Sequence, residues 1–403
     1  MELTPGRFLT TWLTSVACAL AAVGAYNAFM DPYALMGMHR ISGVNARKPA
    51  IDTQQDLIKA YDVLRVAPRT LILGSSQVEL GMDARYLAAL AHNEPGYNLG
   101  VARGGIYEAY RYLQHAAARS DVKLIVLGIE YRDFLEDPGP RRTAFESRLT
   151  VRADGQPNTY ASVQHAKDLL WGLFSWDAIS DSVWTQAQNI ARDSSDFSPG
   201  LWDYGDFHPG GRWVGNRPFF IGFDHMFARG YSHIRVDPVY MGYMADILTF
   251  TRRLGARIVV VLNPTHTDEL EMLHLTGQWP AFEQWKRDLV SLVARYSEAG
   301  EPVELWDFCD YNRYTSEAMP AEGGRMQWFL NPVHYSPALG YLMLNRLFGQ
   351  GDPTFGALLT PQTLESHLAA IRAQHTHYQE HNSIDEQRVL SAYYLARERP
   401  QAN

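Results

Sequence analysis

Short apolar runs alternate with amphipathic segments through most of the chain. The runs at residues 123–129 and 257–262 are apolar on both faces, as is typical of parallel strands buried between two layers of helices. We predict strands at residues 70–73, 96–99, 123–129, 257–262 and 303–306. Helices are predicted at residues 83–91, 107–118, 239–254, 281–296 and 336–347. This alternation predicts an α/β fold with a doubly wound parallel sheet.

The alternation stops at residues 131–236, which are rich in Trp, Tyr, Phe, Gly and Pro. Helices are predicted within this segment at residues 162–174 and 181–191. We interpret the segment as an insertion that forms a lid over the carboxyl edge of the sheet, where ligands bind in open α/β folds. Aromatic side chains such as Trp202 and Trp213 would stack on sugar rings there, or would form the insertion's own core.

Residues 8–30 carry no charged side chain and are rich in Ala, Leu, Val and Phe. A segment of this length can cross a bilayer, which takes about 20 residues. Arg7 in front of it favours a cytoplasmic amino terminus. We therefore predict a single-pass inner-membrane anchor, with the rest of the chain in the periplasm or outside the cell. A cleaved signal peptide is the alternative, with a cleavage site at Val23-Gly24-Ala25.

These patterns divide the chain into four regions. Residues 1–30 form the anchor, and residues 31–68 form a stalk with a helix at residues 54–63. Residues 69–350 form the α/β domain with its insertion, and residues 351–403 form a C-terminal helical extension. The total of 403 residues suits one large domain with a sizeable insertion.

Composition limits the partners. A net charge of -8, without a cluster of Lys and Arg, argues against a nucleic-acid partner. The chain has two cysteines, Cys18 and Cys309, and we expect no disulfide between them. His375, His377 and His381 lie near the C-terminus, but a zinc ion would need a third ligand of diagnostic spacing. We predict neither a metal nor a cofactor.

Two distant segments suggest catalysis. Residues 71–77 read LILGSSQ, an apolar run that ends in Gly-Ser-Ser, and residues 331–336 read NPVHYS in front of a predicted helix. A serine on the turn after a buried strand exposes its hydroxyl at the carboxyl edge of the sheet, where a histidine from a later loop can take its proton. That arrangement would make an acyl-transfer site. The alternative is that the serines form a turn and cap the following helix.

The sequence resembles the SGNH hydrolase superfamily in the order and spacing of Gly74-Ser75-Ser76, Tyr97-Asn98-Leu99-Gly100 and His334. The most similar branch is membrane-anchored and includes the D-alanine transfer protein of teichoic acid modification and the alginate acetylation proteins. The resemblance covers residues 65–130 and 240–348, together with the anchor.

This resemblance implies a role for each residue of the motifs. Ser76 would be the nucleophile and His334 the general base, with an acyl-serine intermediate. The amide of Ser76 and the turn that contains Gly100 and Gly104 would hold the oxyanion. A polytopic membrane acyltransferase that exports the acyl group would be the partner.

Three positions depart from the family pattern. Asn331 stands where the family has an aspartate, and an amide cannot stabilise an imidazolium as a carboxylate does. Arg103 takes the place of the second-block glycine, and residues 128–131, which read GIEY, lack the third-block asparagine. Asp307 and Asp310 follow a predicted strand and would either supply the missing carboxylate or cap the next turn.

We predict an SGNH-like serine acyltransferase or esterase that acts on an extracellular polysaccharide or another envelope glycan. His266, after the fourth predicted strand, would contact the substrate or lie in a surface loop. The alternative function is a catalytically weak or inactive glycan-binding subunit of an exopolysaccharide synthesis or modification complex. Asn331 supports that alternative, because it replaces the carboxylate of the family motif.

Overall fold

The structure is a computed structural model that describes residues 4–136, 143–191, 216–231, 235–297, 302–320, 324–381 and 383–398. Its helices are α1 (Pro5–Met30), α2 (Ile51–Val66), α3 (Ser76–Gly81), α4 (Ala84–Ala91), α5 (Ile106–Ala117), α6 (Ala161–Phe174), α7 (Trp176–Ala191), α8 (Arg217–Gly230), α9 (Pro238–Leu254), α10 (Thr267–Leu275), α11 (Trp279–Ser297), α12 (Pro337–Leu347), α13 (Leu364–His381) and α14 (Ser383–Glu398). Its strands are β1 (Thr70–Gly74), β2 (Gly96–Gly100), β3 (Leu124–Ile129), β4 (Arg257–Leu262), β5 (Glu304–Asp307) and β6 (Ala357–Leu358).

A six-stranded sheet forms the centre of the α/β fold, with the strand order β2-β1-β3-β4-β5-β6. Strands β1 to β5 are parallel, and the short β6 runs antiparallel to β5 at the edge. The predicted parallel sheet is therefore confirmed. Each predicted strand is present, with bounds that differ by at most one residue at either end.

Alternate residues of the strands face two layers of helices, because successive strand side chains point to opposite sides. Ile72, Val126 and Val259 share a hydrophobic core with Leu87 of α4 and Met343 of α12. In the second layer, α9 packs against both α5 and α11. This arrangement is the doubly wound fold that the sequence predicts.

The sequence pattern does not predict α8 or α10. Helix α10 is buried on all sides from Thr267 to Leu273, so it lacks the polar face by which an amphipathic helix is recognised. Helix α8 lies in the segment whose Gly, Pro and aromatic residues break the periodicity. Its existence depends on tertiary packing against α10 and α14.

The described residues form two compact units. The larger unit contains the sheet and consists of residues from Ala67–Arg141 and Ser198–Asn403, and the smaller one of residues from Met1–Val66 and Arg142–Phe197. The predicted insertion is thus divided between them. Its helices α6 and α7 belong to the smaller unit, whereas α8 belongs to the unit that contains the sheet.

The region interpreted as a stalk contributes to a small hydrophobic core in the smaller unit. Tyr33, Leu35 and Leu57 pack there with Ala178 of α7. The hydroxyl of Tyr33 also donates a hydrogen bond of 2.6 Å to Asp181. The predicted stalk therefore belongs to a folded unit that it shares with α6 and α7.

Helix α1 is long and apolar enough to cross a membrane, with a mean hydropathy of 1.7 over its most apolar window. Its residues from Thr4 to Ala22 are all exposed. A membrane anchor and a signal sequence share these properties. Cys18 is exposed on this helix, Cys309 is buried, and both are free thiols.

Two glycines let α3 and α12 approach each other closely. A Cβ atom added to Gly340 of α12 would lie 1.7 Å from the carbonyl oxygen of Gly81 at the end of α3. A Cβ atom on Gly81 would lie 2.0 Å from the ring of Tyr335. Larger residues would have to push the two helices apart. Because α3 begins at Ser76 and α12 follows His334, this contact sets the distance between the two predicted catalytic residues.

We expect Gly340→Ala to lower the free energy of unfolding by about 1–3 kcal/mol, because the new methyl group overlaps a backbone carbonyl. Gly242→Ala in α9 is the matched control, since no atom lies within 4 Å of the added Cβ. Alanine should even favour that helix, by up to about 1 kcal/mol. Urea unfolding of the full chain in detergent measures both variants. Equal stabilities would contradict the close contact.

Candidate active site

Ser76 lies on the turn between β1 and α3, at the carboxyl edge of the sheet. From Thr70 to Ala84 every side chain is buried except that of Ser76, which is partly exposed. The φ angle of Gly74 is +143°, and a Cβ atom there would lie 2.3 Å from the carbonyl oxygen of Gly128, so the turn requires glycine. The strand, turn and helix together present the Ser76 hydroxyl to the surface.

The two adjacent serines have different roles. Ser75 is the N-cap of α3, and its Oγ accepts a hydrogen bond of 3.3 Å from the amide of Gln77. The Oγ of Ser76 instead lies 2.7 Å from Nε2 of His334. The capping alternative therefore describes Ser75, whereas Ser76 is paired with the histidine.

His334 lies in a tight loop that the side chain of Asn331 organises. The Oδ1 atom of Asn331 accepts hydrogen bonds from the amides of Val333 and His334, at 3.1 and 3.0 Å. The same oxygen lies 2.9 Å from Nδ1 of the imidazole. An oxygen that faces Nδ1 requires the hydrogen on that nitrogen, so Nε2 accepts the hydroxyl hydrogen of Ser76. The loop thus selects the tautomer that a general base needs.

The His334 imidazole is neutral at physiological pH. Burial of the ring and the nearby guanidinium of Arg132 lower the pKa of His334 to about 3. The neutral ring can accept the Ser76 hydrogen bond, but the same surroundings oppose the imidazolium that a general base forms during catalysis. Asn331 brings no negative charge to compensate. The site therefore holds a well-placed but weak base.

Glu130, directly after β3, binds the residues on both sides of the nucleophile position. Its Oε1 accepts a hydrogen bond of 3.0 Å from Oγ of Ser75. Its Oε2 accepts hydrogen bonds of 2.9 Å from Nε2 of Gln77 and 3.1 Å from Nε of Arg132. Glu269 of α10 lies 3.4 Å from the same Arg132 nitrogen. The cation beside the imidazole is thus held between two carboxylates.

The glycine amides predicted as oxyanion donors have partners inside the protein. The amide of Gly100 donates to Oδ1 of Asn98, and that of Gly104 donates to the carbonyl oxygen of Val101, each at 2.8 Å. Arg103, in the place of the family's glycine, has a φ angle of +60°, the left-handed conformation that favours glycine. In the described part of the chain, the Arg103 amide makes no hydrogen bond.

Asp307, the last residue of β5, and Asp310 in the loop that follows are bound elsewhere and make no described contact with His334. Oδ2 of Asp307 lies 2.6 Å from Nζ of the buried Lys286 and 2.9 Å from Nε2 of His367. Although burial raises the pKa of Asp307, these two neighbours lower it to about 2. Its Oδ1 accepts the amide of Cys309 at 2.9 Å, so the turn-capping alternative describes Asp307. Asp310 is also buried and is bonded within its own loop.

His266 is buried and caps α10. Its Nδ1 accepts a hydrogen bond of 3.2 Å from the amide of Asp268, and its Nε2 lies 2.7 Å from the carbonyl oxygen of Glu317. Both ring nitrogens are engaged inside the protein. No ring nitrogen is left for the substrate contact that the sequence suggests.

Helix α8, from the second half of the predicted insertion, packs against the imidazole. The ring centroids of Phe223 and His334 lie 6.2 Å apart, with the rings at 73°. Asn216, in front of α8, donates hydrogen bonds of 2.9 Å to the carbonyl oxygens of Phe329 and Leu330. These contacts tie α8 to the loop that carries His334.

Other predicted site residues lie apart from this cluster. Trp202 and Trp213, which the sequence suggests as glycan contacts, lie outside the described residues. His377, Glu380 and His381 are exposed on α13, with potential ligand atoms within 4.8 Å of one another. Glu380 is a third donor that the spacing of the histidines does not reveal.

Glu130 and Arg132 are residues of the site that the sequence does not predict. Glu130 follows the third strand, at the position where the SGNH hydrolases that the sequence resembles have an asparagine. That position is the one signal in the sequence that points to Glu130. Arg132 has no such signal, because its contacts depend on the short turn Tyr131–Phe134 that follows β3.

The chain matches no protein-family model and no curated protein.

We expect Asn331→Asp to raise the pKa of His334 by about 1–3, because a carboxylate would then face Nδ1. In the wild type, the unfolded chain takes up a proton at His334 near pH 6.5, but the folded chain does so only near pH 3. The fold therefore loses stability as the pH falls between these two values. NMR titration of ¹⁵N-labelled histidine measures the pKa. Gln327→Glu is the control, since it adds a carboxylate at an exposed position of the same loop. An unchanged pKa in Asn331→Asp would mean that the side chain does not face the ring.

Proposed function

We propose that the protein is an SGNH-like serine acyltransferase or esterase that acts on an extracellular polysaccharide or another envelope glycan. The observation that carries the proposal is the pair of contacts from Ser76 to His334 and from His334 to Asn331, at 2.7 and 2.9 Å. The pair lies at the carboxyl edge of a parallel sheet, where α/β folds bind their ligands. Ser76 and His334 are each partly exposed, whereas the residues on either side of them in the chain are buried.

In the proposed mechanism, Oγ of Ser76 attacks the carbonyl carbon of an acyl ester while Nε2 of His334 takes the hydroxyl proton. The tetrahedral intermediate then collapses, and His334 returns the proton to the leaving oxygen. The acyl group remains on Ser76 as an ester. A sugar hydroxyl or a water molecule attacks this ester by the same proton transfers in reverse, which completes transfer or hydrolysis.

Backbone amides beside the nucleophile are the proposed oxyanion donors. Ser76 occupies the first helical position of α3, where an amide has no acceptor within its own helix. Arg103 offers the second amide. The role of oxyanion donor depends on a backbone amide held in a left-handed turn, which Arg103 provides, and not on glycine itself. Gly100 and Gly104 are less suited, since their amides already have acceptors.

The proposed location follows from α1. Arg7 in front of the helix favours an amino terminus in the cytoplasm and an α/β domain outside it. The packing of α1 favours an uncleaved anchor over a signal peptide, because cleavage after Ala25 would remove Gly24, which lies against the ring of Phe174. The family resemblance alone supports a polytopic membrane acyltransferase as the partner that delivers the acyl group.

The electrostatics of the site favour a second candidate function, a weakly active or inactive glycan-binding subunit. Asn331 replaces the carboxylate of the family motif, and Arg132 lowers the pKa of His334 further. In a serine protease, the exchange of that aspartate for asparagine costs about 10⁴ in rate. The same cleft would then hold the glycan and leave the acyl transfer to a partner.

We expect the wild-type chain to hydrolyse a chromogenic acetyl ester slowly. Ser76→Ala and His334→Ala should each abolish this turnover, and the double variant should be no worse, because residues that act as a unit are not additive. Asn331→Asp should raise turnover, since no other described carboxylate contacts the imidazole. Ser366→Ala, at an exposed serine of α13, is the matched control and should be unchanged.

Two outcomes separate the candidate functions. Turnover that survives Ser76→Ala would show that the nucleophile lies elsewhere. No wild-type turnover on any acetyl ester, together with normal glycan binding by Ser76→Ala, would instead support the binding subunit.

A further inference from the structure

Large apolar side chains are exposed along one side of α6 and of α7 in the smaller unit. Trp176, Ile190 and Leu170 are 80%, 72% and 61% exposed. Further exposed apolar side chains are Val163 and Phe174 on α6 and Val183 and Trp184 on α7. Spacings of four or seven residues place positions 163, 170 and 174 on one face of α6 and positions 176, 183 and 190 on one face of α7, and Trp184 lies next to the α7 set. We call these two faces together the α6–α7 apolar surface.

One stripe of α7, from Trp176 to Ile190, carries no charged side chain, and Asp177 is exposed beside it. Between Trp176 and Ile190, the exposed positions on the same stripe are Ser180, Val183 and Ala187. A soluble helix usually has charged residues at such positions. A contiguous exposed apolar surface of this kind marks contact with another protein or with a membrane.

The α6–α7 apolar surface is continuous with the membrane-length helix α1. The ring of Phe174 lies 3.0 Å from the Cβ position of Gly24, so the end of α6 rests directly on α1. The side chain of Asn27 donates a hydrogen bond of 2.9 Å to the carbonyl oxygen of Leu173. On α7, Gln186 accepts a hydrogen bond of 2.9 Å from the hydroxyl of Tyr26. Both helices therefore pack against the last two turns of α1.

The length of α1 indicates how deep in the membrane these contacts would lie. From Phe8 to Gly24, α1 rises by 16 residue steps, or about 24 Å. Since the hydrocarbon core of a bilayer is about 30 Å thick, the contact of Gly24 with Phe174 falls near its outer edge. The hydrogen bond from Asn27 suits a position at the edge of the hydrocarbon core. Without it, the carbonyl oxygen at the end of α6 would be unpaired in lipid, which costs free energy.

We propose that the α6–α7 apolar surface lies in the outer leaflet of the membrane that α1 crosses. The protein would then be held by an interfacial pair of helices as well as by its anchor. The exposed Trp and Phe side chains, together with Lys167 in the α6 stripe, are of the kinds that the interfacial region of a bilayer accommodates. Lipid is the committed occupant because the surface continues directly from the exposed apolar face of α1. The inference rests on the proposed membrane crossing of α1.

Fluorescence quenching in reconstituted vesicles tests the proposal on the full chain. Trp176→Cys and Val183→Cys are made separately with Cys18→Ala and Cys309→Ala, labelled with an environment-sensitive fluorophore in detergent, and reconstituted into vesicles of phosphatidylethanolamine and phosphatidylglycerol. Asp154→Cys, in the polar turn in front of α6, is the exposed control. The native Cys18 in Cys309→Ala reports the anchor itself.

We expect lipids with a nitroxide on the acyl chain to remove most of the fluorescence at positions 176, 183 and 18, and little at position 154. Iodide in the aqueous phase should quench the label at position 154 strongly and the labels at positions 176, 183 and 18 weakly. Labels at 176 and 183 that iodide quenches as strongly as the label at 154, while the Cys18 label stays in lipid, would overturn the proposal and leave a protein partner as the occupant. An aqueous Cys18 label would instead show that the anchor has failed, and the proposal with it.

Discussion

The close approach of α12 to α3 is the constraint on which the candidate site depends. Ser76 and His334 are 258 residues apart in the chain, yet their reactive atoms lie 2.7 Å apart. The helix that begins with the serine meets the helix that follows the histidine at Gly81 and Gly340, where no side chain separates the backbones. Because packed interiors transmit small displacements, we expect a single methyl group at this contact to disturb the hydrogen bond between the two residues.

The geometry of the site favours acyl transfer, whereas its electrostatics oppose it. Asn331 orients the imidazole and selects its tautomer, and Glu130 holds the turn that presents the serine. Arg132 and the burial of the ring, however, lower the pKa of His334 to about 3. Such a site is arranged for acyl transfer but has little power to hold the positive charge that acyl transfer places on its histidine. A slow enzyme and a binding subunit are both consistent with that combination, and they differ in whether the serine is chemically reactive.

Local signals explain how much of the fold could be predicted. The apolar runs of β3 and β4 predict buried parallel strands within one residue of their observed bounds, because such strands need no context beyond their own composition. Helix α8 is not predicted, because the surrounding Gly, Pro and aromatic residues obscure the helical spacing of Phe220, Phe223 and Phe227; it packs against α10 and α14.

The same limit applies to the candidate site. Ser76 and His334 could be singled out because each stands in a short motif next to a predicted element. His266 also follows a strand, and only its burial distinguishes a helix cap from a residue of the cleft. Glu130 acts through hydrogen bonds to Ser75 and Gln77, and Arg132 through its charge near the imidazole, neither of which any sequence spacing encodes. Tertiary contacts, which depend on the whole fold, decide these roles.

Labelling with a fluorophosphonate, followed by peptide mass spectrometry, shows whether Ser76 and His334 form a reactive pair. Such a reagent reacts with a serine only where a neighbouring base makes the hydroxyl nucleophilic. We expect one adduct, on Ser76, in the full wild-type chain, and its loss in folded His334→Ala. An unmodified Ser76 in the folded wild-type protein, or an adduct that persists without His334, would contradict the claim that these two residues form a reactive pair.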